Sequence, residues 1–317
     1  MKNYEDVMAC IGKIINENVS DEAERVKIHK RMLKLSQDKV NIMIVGGTGV
    51  GKSSTINALF DTSDAKVGVG IDPETISIDR YEMGNLVLWD TPGLGHGVNE
   101  DKRHRKNIIA KLTETEESSE KLLIDLVLVI VDASNRDMGT SYELINLIIN
   151  SYAHKDRIII ALNQCDMAMK GRFWNYKENK PEPQLVDFLE QKVDSIRRRI
   201  YESNRIKVDP IYYSAGYTDG VECQKPYNIS KLFYLIVKNL KSNKAVIVCT
   251  RKTRDDENTR YDEYNNGGRT YKEKTSNVFM DAVKETCEAV WDKVCDVGNT
   301  IANVASSAWN TVCSWFW

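Results

Sequence analysis

The chain begins with two stretches in which apolar residues recur every three or four positions, the spacing of one face of an α-helix. They run roughly from Tyr4 to Glu17 and from Asp21 to Leu35, and Ser20 stands where it could cap the second. From Val40 onward, short apolar runs typical of buried strands alternate with helical stretches. This alternation predicts an α/β domain whose mostly parallel sheet carries helices on both faces.

Six apolar runs are the predicted strands of this sheet: VNIMIV (40–45), ISIDRY (76–81), LVLW (86–89), LVLVIV (126–131), IIIAL (158–162) and DPIYYS (209–214). The second and third are separated only by Glu82 to Asn85, which is too short for a parallel crossover and suits a hairpin containing Gly84. One strand should therefore run antiparallel. Helices are predicted over 52–60, about 101–121, 141–151, 184–202 and 230–240.

These patterns divide the chain into four parts: an N-terminal helical preface (1–37), an α/β domain (38–242), a charged linker (243–276) and a C-terminal amphipathic helix (277–317). The linker is dense in charge, Asn and Gly over 251–276 and has few apolar residues there. It allows a weak hairpin around Asn265 to Gly268, preceded by AVIVCT (245–250). In the last part, apolar residues recur at helical spacing from Phe279 to Trp315.

The C-terminal helix allows more than one role. No charged side chain occurs from Val297 to Trp317, but eight polar residues in this stretch argue against a membrane-spanning helix. A Ser/Thr/Asn face opposite an apolar face ending in CSWFW suits the surface of a membrane. The alternatives are packing against the α/β domain or against a second copy of the chain, and disorder.

Composition narrows the class of protein only slightly. The net charge of −2 argues against a polyanion-binding surface over the whole molecule, although a local RNA contact stays open. The seven cysteines are scattered and form no C-x-x-C pair, which argues against a disulfide framework or a zinc site. The N-terminus lacks the apolar core of a signal peptide. We therefore expect a cytoplasmic protein, or one held peripherally at the inner face of the membrane.

A phosphate-binding motif, G-x-x-x-x-G-K-S, follows the first predicted strand and precedes a helix. Its glycines allow the backbone N–H groups of residues 46–53 to turn inward around phosphates, where a Cβ would interfere. Lys52 is expected to supply positive charge to the β- and γ-phosphates, and Ser53 a hydroxyl ligand to Mg²⁺. The motif predicts the fold of a P-loop NTPase, a three-layer sandwich, but does not separate ATP from GTP.

Further motifs in this order resemble those of GTPases. Asp90-Thr91-Pro92-Gly93 resembles the D-x-x-G of switch II, in which the aspartate reaches Mg²⁺ through water and the glycine N–H contacts the γ-phosphate. Thr75 has the Pro-x-Thr spacing of a switch I threonine that binds Mg²⁺, with Thr62, Ser63 and Ser77 as competitors. Leu94 stands where Ras-like enzymes carry the glutamine that orients water, so hydrolysis should be slow or use another group.

Three residues near switch II could assist the reaction. His96 could position water, although a histidine in a surface loop is more often only solvated. Arg103 and Arg105 could act as arginine fingers on a partner molecule, and a solvated helix face is the alternative for both.

The base site is indicated by Asn163-Gln164-Cys165-Asp166, which resembles the guanine-recognition element N-K-x-D with Gln164 in place of lysine. The carboxylate of Asp166 can accept hydrogen bonds from N1–H and the exocyclic amine of guanine, whereas adenine offers neither group and would leave a buried carboxylate unpaired. Ser214-Ala215-Gly216 resembles the S-A-K loop, in which a backbone N–H meets guanine O6, or else is an ordinary turn.

Taken together, GGTGVGKSSTINALF, P-E-T, WDTPGLG, NQCD and SAG make residues 40–240 similar to the Era-like branch of the TRAFAC GTPases. VDASNRDMGTSYELIN and ALNQCDMAMKGRFWN resemble the bacterial YfjP/YeeP-like group, labelled ribosome-binding GTPase-like. The resemblance implies slow GTP hydrolysis with Lys52, Thr75 and Gly93 as catalytic residues and Ser53, Thr75 and Asp90 around Mg²⁺. The residues that it implies for GTP or GDP are Gly46, Gly47, Thr48, Gly49, Val50, Gly51, Lys52, Ser53, Ser54, Asp90, Gly93, Asn163, Gln164, Asp166, Ser214 and Ala215.

Two functions from different classes follow from these motifs. The first is a GTPase switch that acts on an unidentified protein effector, with the ribosome as a candidate partner. The second is a membrane-associated or self-assembling GTPase, including a homodimer, recruited through residues 277–317. A P-loop ATPase or kinase is a third hypothesis, which requires that Asp166 have no role in base recognition.

Overall fold

The computed structural model describes residues 4–60, 66–68, 78–94, 97–116, 119–218 and 223–249, and beyond them residues 271, 273–275, 277–278, 281–282 and 285. The switch I candidates Thr62, Ser63, Thr75 and Ser77, the loop residue His96 and nearly all of the predicted C-terminal helix lie outside this part of the chain. The predictions made for them stay predictions.

The helices of the described part are α1 (Tyr4–Asn18), α2 (Glu22–Ser36), α3 (Lys52–Leu59), α4 (Val98–Thr113), α5 (Gly139–Ser151), α6 (Pro183–Asn204), α7 (Ile229–Lys238) and α8 (Ser242–Cys249). The strands are β1 (Val40–Gly46), β2 (Lys66–Gly68), β3 (Asp79–Met83), β4 (Leu86–Asp90), β5 (Leu126–Asp132), β6 (Ile158–Asn163), β7 (Trp174–Asn175), β8 (Lys180–Pro181), β9 (Ile211–Tyr212), β10 (Tyr217–Thr218) and β11 (Cys223–Gln224). Short 3-10 helices cover Lys155–Arg157 and Cys165–Gly171.

One sheet organises the molecule, in the order β2-β3-β4-β1-β5-β6-β9. Strands β4, β1, β5, β6 and β9 are parallel, and β3 runs antiparallel to both neighbours. The prediction of a mostly parallel P-loop NTPase sheet with one antiparallel strand is confirmed, as is the hairpin, whose turn residue Gly84 has φ of +59°. The sheet also contains β2, a short edge strand that the apolar pattern did not indicate.

The central strands are buried on both faces, as their unbroken apolar runs predict. One face packs against α3, α7 and α8, and residues of α1 and α2 such as Ile15 and Ile28 join the same core. The other face packs against α4, α5 and α6. The predicted N-terminal preface is therefore in contact with the core of the α/β domain.

Two local predictions were wrong in detail. Asp21, not Ser20, precedes α2, and its Oδ1 accepts a hydrogen bond from the N–H of Ala23 at 2.7 Å. Helix α4 covers Val98–Thr113, not 101–121, because Glu114 takes an extended conformation and Thr115 pairs with Leu122 in an isolated bridge.

The segment predicted as a linker from residue 243 begins with a helix, since Ser242–Cys249 is α8. Ala245, Val246, Ile247 and Val248 are all buried, and three of them favour strands by propensity alone. Packing overrides that propensity, because α8 packs on α7 and on the central strand β1. Lys244 is bonded to the buried Asp125 at 2.6 Å, and Asn243 to Asp38 at 2.8 Å. The first residues of the predicted linker thus belong to the folded domain.

We expect Lys244→Met to lower the free energy of unfolding by about 3–5 kcal/mol at neutral pH, because it leaves the Asp125 carboxylate buried without its cation. Burial already raises the pKa of Asp125, and the charge of Lys244 opposes that rise. In the variant the pKa of Asp125 rises further. The difference in free energy of unfolding between variant and wild type should therefore narrow as pH falls and Asp125 takes up a proton. Urea unfolding from pH 4 to 8 measures both effects.

The exposed Lys207 offers a matched control, since Lys207→Met removes the same charge without opening a buried pair. Equal destabilisation by the two substitutions, or a gap that does not change with pH, would contradict a role for the Lys244–Asp125 pair.

The described residues between 271 and 285 are helical and lie against the domain. Tyr271 contacts the ring of Tyr234 on α7 with ring centroids 5.7 Å apart, and Thr275 and Ala282 are buried. The start of the predicted C-terminal helix thus packs against the α/β domain, through Val278 and Ala282. No helix of the described residues is long and apolar enough to cross a bilayer.

Candidate nucleotide-binding site

The P-loop connects β1 to α3 at the carboxyl end of the sheet, where parallel α/β sheets bind ligands. Two of its glycines are required by close packing. A Cβ on Gly46 would lie 2.6 Å from the carbonyl oxygen of Ile130, and one on Gly51 would lie 2.3 Å from Nδ2 of Asn163. Gly51 also has φ of +85°, a left-handed conformation that side chains disfavour.

Three polar groups meet beside this loop. The ammonium group of Lys52 donates to the carbonyl of Gly47 at 3.2 Å, and the hydroxyl of Ser53 donates to Oδ2 of Asp90 at 3.3 Å. Burial lowers the pKa of Lys52, and the nearby Asp90 carboxylate opposes that shift. Burial raises the pKa of Asp90, against the charge of Lys52 and the bond from Ser53.

The other carboxylate oxygen of Asp90, Oδ1, is buried and finds no hydrogen-bond partner among the residues that the structure describes. A buried carboxylate oxygen normally has a partner. Carboxylate and hydroxyl oxygens are the ligands that Mg²⁺ prefers. Ser53 and Asp90 therefore fit the role predicted for them at a magnesium site.

The switch II motif is joined to the P-loop by a short continuation of the β1–β4 pairing. The N–H of Thr91 donates to Ile44, the N–H of Leu94 to Gly46, and the N–H of Thr48 to the carbonyl of Leu94. Gly93 is pressed against Thr48, because a Cβ on Gly93 would lie 2.5–2.6 Å from three Thr48 atoms. Only glycine fits there, which places the Gly93 backbone beside the phosphate loop.

Leu94 is 3% exposed and packs in the core with Ile108 and Leu112 of α4. Its side chain therefore anchors switch II and does not face the site. Arg105 is held by Glu143 of α5 at 2.6 Å, so the predicted arginine-finger role would require that ion pair to break. Arg103 lies exposed on the same helix.

The base loop is bonded directly to the P-loop. Nδ2 of Asn163 donates to the carbonyl of Val50 at 2.9 Å, and Nε2 of Gln164 donates to the carbonyl of Gly49 at 2.8 Å. Gln164 has φ of +60°, which turns the chain sharply after β6. Gln164, which replaces the lysine of the N-K-x-D element, thus still reaches the phosphate loop, although without a charge.

Asp166 follows in a short 3-10 helix and is 4% exposed. Its Oδ1 is buried and finds no hydrogen-bond partner in the described part of the chain. An unpaired buried carboxylate oxygen costs free energy unless a ligand satisfies it. Its place in the base loop fits a ligand that offers N–H donors, as guanine does.

The loop after β9 forms the other side of the base site. The N–H of Ala215 donates to Oδ1 of Asn163 at 2.9 Å, and the N–H of Gly216 donates to the hydroxyl of Ser214 at 3.2 Å. Both N–H groups are thus engaged within the protein, and the predicted contact with guanine O6 stays a prediction. A Cβ on Gly216 would lie 2.3 Å from the carbonyl oxygen of Gln224, so only glycine fits at this position.

Sequence reasoning missed several parts of this region. The hairpins β7–β8 and β10–β11 flank the base loops and are joined where Asn179 donates to the carbonyl of Lys225 at 2.9 Å. Their strands have only two residues each, too short for a periodic pattern. The hydroxyl pair of Thr55 and Tyr213 was also missed, since no motif links these residues.

Comparison with known proteins also points to a GTP-binding domain. Residues 41–164 match the family model described as "50S ribosome-binding GTPase". The chain is 27% identical over 128 residues to the "Probable GTP-binding protein EngB" of Methanococcus aeolicus, covering 38% of this chain and 55% of that protein. It is 27% identical over 152 residues to the "GTPase Der" of Buchnera aphidicola subsp. Schizaphis graminum, covering 46% and 31%. The chain thus spans 55% and 31% of the length of these two relatives.

Among solved structures, the chain is similar to the LeoA bacterial dynamin GTPase from ETEC, at 15% identity and a TM-score of 0.46, with 78% of this chain and 46% of that chain covered. The fold, the order of the motifs and the matching family model together lead to one conclusion. This chain carries a P-loop GTPase domain.

Proposed function

We propose that the protein binds GTP and GDP, hydrolyses GTP slowly, and acts as a conformational switch on a partner. The observation that carries this proposal is the Asp166 carboxylate, which is buried with an unpaired oxygen in a loop bonded to the P-loop through Gln164. A nucleotide that reaches from this loop to Lys52 must carry a base with N–H donors at one end and phosphates at the other.

For the phosphates, we propose that Lys52, Ser53 and Asp90 act together. Lys52 adds positive charge beside the loop, and Ser53 and Asp90 offer oxygens that suit Mg²⁺. When bound, Mg²⁺ would neutralise charge that develops on the phosphate oxygens. Gly93, packed on Thr48, carries the backbone N–H that we assign to the γ-phosphate, and Thr75 remains our candidate for switch I.

Slow hydrolysis is expected because Leu94 occupies the position after D-T-P-G at which Ras-like enzymes carry the water-orienting glutamine. An apolar side chain cannot orient an attacking water, and this one is buried in the core with α4. The group that positions water must therefore come from another part of the chain or from a partner that contacts the switches. A conformational change on loss of the γ-phosphate would start at Gly93 and pass to α4 through Leu94.

On the identity of the group and its partners, we propose an Era-like GTPase closest to the YfjP/YeeP-like group, with the ribosome as the first partner to test. The description of the matching family supports the ribosome as a candidate partner. The assignment to the subgroup rests on the sequence motifs of residues 40–240. The protein would act in the cytoplasm. The alternative is a membrane-associated or self-assembling GTPase recruited through residues 277–317. The amphipathic pattern of this segment supports it, as does the absence of charged side chains from Val297 to Trp317.

Nucleotide titration tests the proposal. We expect the full-length protein with Mg²⁺ to bind fluorescent GTP and GDP analogues at least about 100-fold more tightly than the ATP analogue, because adenine leaves Asp166 unpaired. Phosphate release from GTP should be slow and should depend on Mg²⁺. Comparable affinity for ATP would contradict the assignment of guanine, and the absence of any nucleotide binding would contradict the proposal as a whole.

A further inference from the structure

A pair of buried hydroxyl groups lies beneath the P-loop, outside the motifs that predict nucleotide binding. The hydroxyl oxygens of Thr55, on α3, and Tyr213, just after β9, are 2.6 Å apart. Both side chains are fully buried. The same Thr55 hydroxyl lies 2.7 Å from the carbonyl oxygen of Gly51, the second glycine of the G-x-x-x-x-G-K-S motif.

The direction of these hydrogen bonds follows from their chemistry. The carbonyl of Gly51 can only accept, so the hydroxyl hydrogen of Thr55 points toward it. Thr55 then has only lone pairs to offer Tyr213, and the phenol must be the donor. The result is a relay, Tyr213 O–H to Thr55 O–H to Gly51 C=O, in which each bond polarises the next.

The relay determines where the next N–H group points. In a planar trans peptide, the C=O of one residue and the N–H of the next point in opposite directions. Holding the carbonyl of Gly51 toward Thr55, inside the protein, therefore turns the N–H of Lys52 toward the inside of the phosphate loop. The backbone N–H of Thr55 also donates to Gly51, so this carbonyl accepts two bonds from one residue.

Tyr213 is at the same time part of the base site. It immediately precedes Ser214-Ala215, and its carbonyl accepts a hydrogen bond from the N–H of Cys165 in the other base loop at 3.2 Å. Burial raises the pKa of Tyr213, so the phenol keeps its proton over the working pH range. One residue thus contacts both base loops and, through Thr55, the phosphate loop.

We propose that Tyr213 is a positioning residue for nucleotide binding: through Thr55 it holds the Gly51–Lys52 peptide with its N–H directed at the phosphates. This inference rests on the proposed function, because it concerns the same site. The inference goes beyond the P-loop motif, because neither Thr55 nor Tyr213 belongs to that motif and the two residues are 158 positions apart.

Removal of single hydroxyl groups in the full-length protein tests the relay. We expect Tyr213→Phe and Thr55→Val each to weaken GTP and GDP binding about fivefold, the usual effect of one buried hydrogen bond. The double variant should lose no more than either single variant, because both break one chain of bonds. Thr55→Ser keeps the hydroxyl and should bind as wild type does.

Tyr152→Phe is the matched control, since Tyr152 is also fully buried and donates its phenol hydrogen to a backbone carbonyl, that of Ile124, at 2.9 Å. It should shift the urea midpoint about as much as Tyr213→Phe but leave nucleotide affinity unchanged. The ratio of GTP to XTP affinity should be unchanged in Tyr213→Phe, because the relay acts on the phosphate end.

Wild-type affinity in Tyr213→Phe, additive losses in the double variant, or a changed ratio of GTP to XTP would overturn the inference. Failure of the wild-type protein to bind GTP would overturn the proposed function itself, and the two failures are therefore distinguishable in one set of titrations.

Discussion

Asp166→Asn should exchange the preferred nucleotide, lowering GTP affinity by about 100-fold and raising XTP affinity by a similar factor. The carboxylate accepts N–H donors of guanine, whereas an amide offers an NH₂ group that suits the C2 carbonyl of xanthine. The buried position of Asp166 leaves little water to compensate for a mismatch, so the change in preference should be large. Competition of GTP and XTP against a fluorescent GDP analogue measures both affinities.

The two side chains have nearly the same shape, so binding of XTP by the variant also shows that the site is folded. Asp187→Asn, at an exposed position on α6, is the matched control and should leave the preference for GTP unchanged. Loss of all nucleotide binding without a gain for XTP would show that Asp166 supports the loop and does not read the base.

Lys52→Ala should reduce GTP affinity by at least about 100-fold and abolish measurable hydrolysis. Lys52 is half-buried at the start of α3, and its ammonium group lies 3.2 Å from the carbonyl of Gly47, across the loop that would surround the phosphates. Its removal takes away the positive charge that opposes the burial shift of Asp90, which also raises the electrostatic cost of bringing in phosphates. Calorimetry with GTP and Mg²⁺, and phosphate release, give the two readouts.

Lys106→Ala, on the exposed side of α4, controls for the loss of one positive charge. It should bind GTP as wild type does, because screening weakens charges far from the ligand. The stability of Lys52→Ala should stay close to that of wild type, because removing the buried lysine charge and removing its attraction to Asp90 have opposite effects. Near-normal GTP affinity of Lys52→Ala would refute the assignment of the phosphate site.

Much of the fold could be predicted because its signals are local. The buried runs of β1, β5 and β6 are unbroken, as in strands covered on both faces, and their order with intervening helices specifies a parallel sheet. The four-residue spacer around Gly84 allows only a hairpin, which gives the antiparallel strand β3. These inferences need only neighbouring residues.

Helix α8 shows where such reasoning fails. The segment AVIVC contains β-branched residues that favour strands. It is nevertheless helical, because it packs on α7 and because Lys244 forms an ion pair with Asp125. Asp125 is 119 positions away, so its contribution has no signal in the local pattern. The sequence shows that Leu94 stands where Ras-like enzymes have a glutamine, but not that its side chain is buried. That burial is likewise a property of the packed core.

By itself, the sequence determined that this protein has a P-loop motif and a D-x-x-G motif, and it predicted an acidic residue that reads the base, because each needs fixed residue types at short spacing. Only the tertiary structure decided how these parts are connected. Gln164 reaches Gly49 across 115 positions and Asn163 reaches Val50 across 113, while Tyr213 reaches Thr55 beneath the loop. Hydrogen bonds act over about 3 Å, so only the folded sheet, which brings the strand ends together at one edge, can form them.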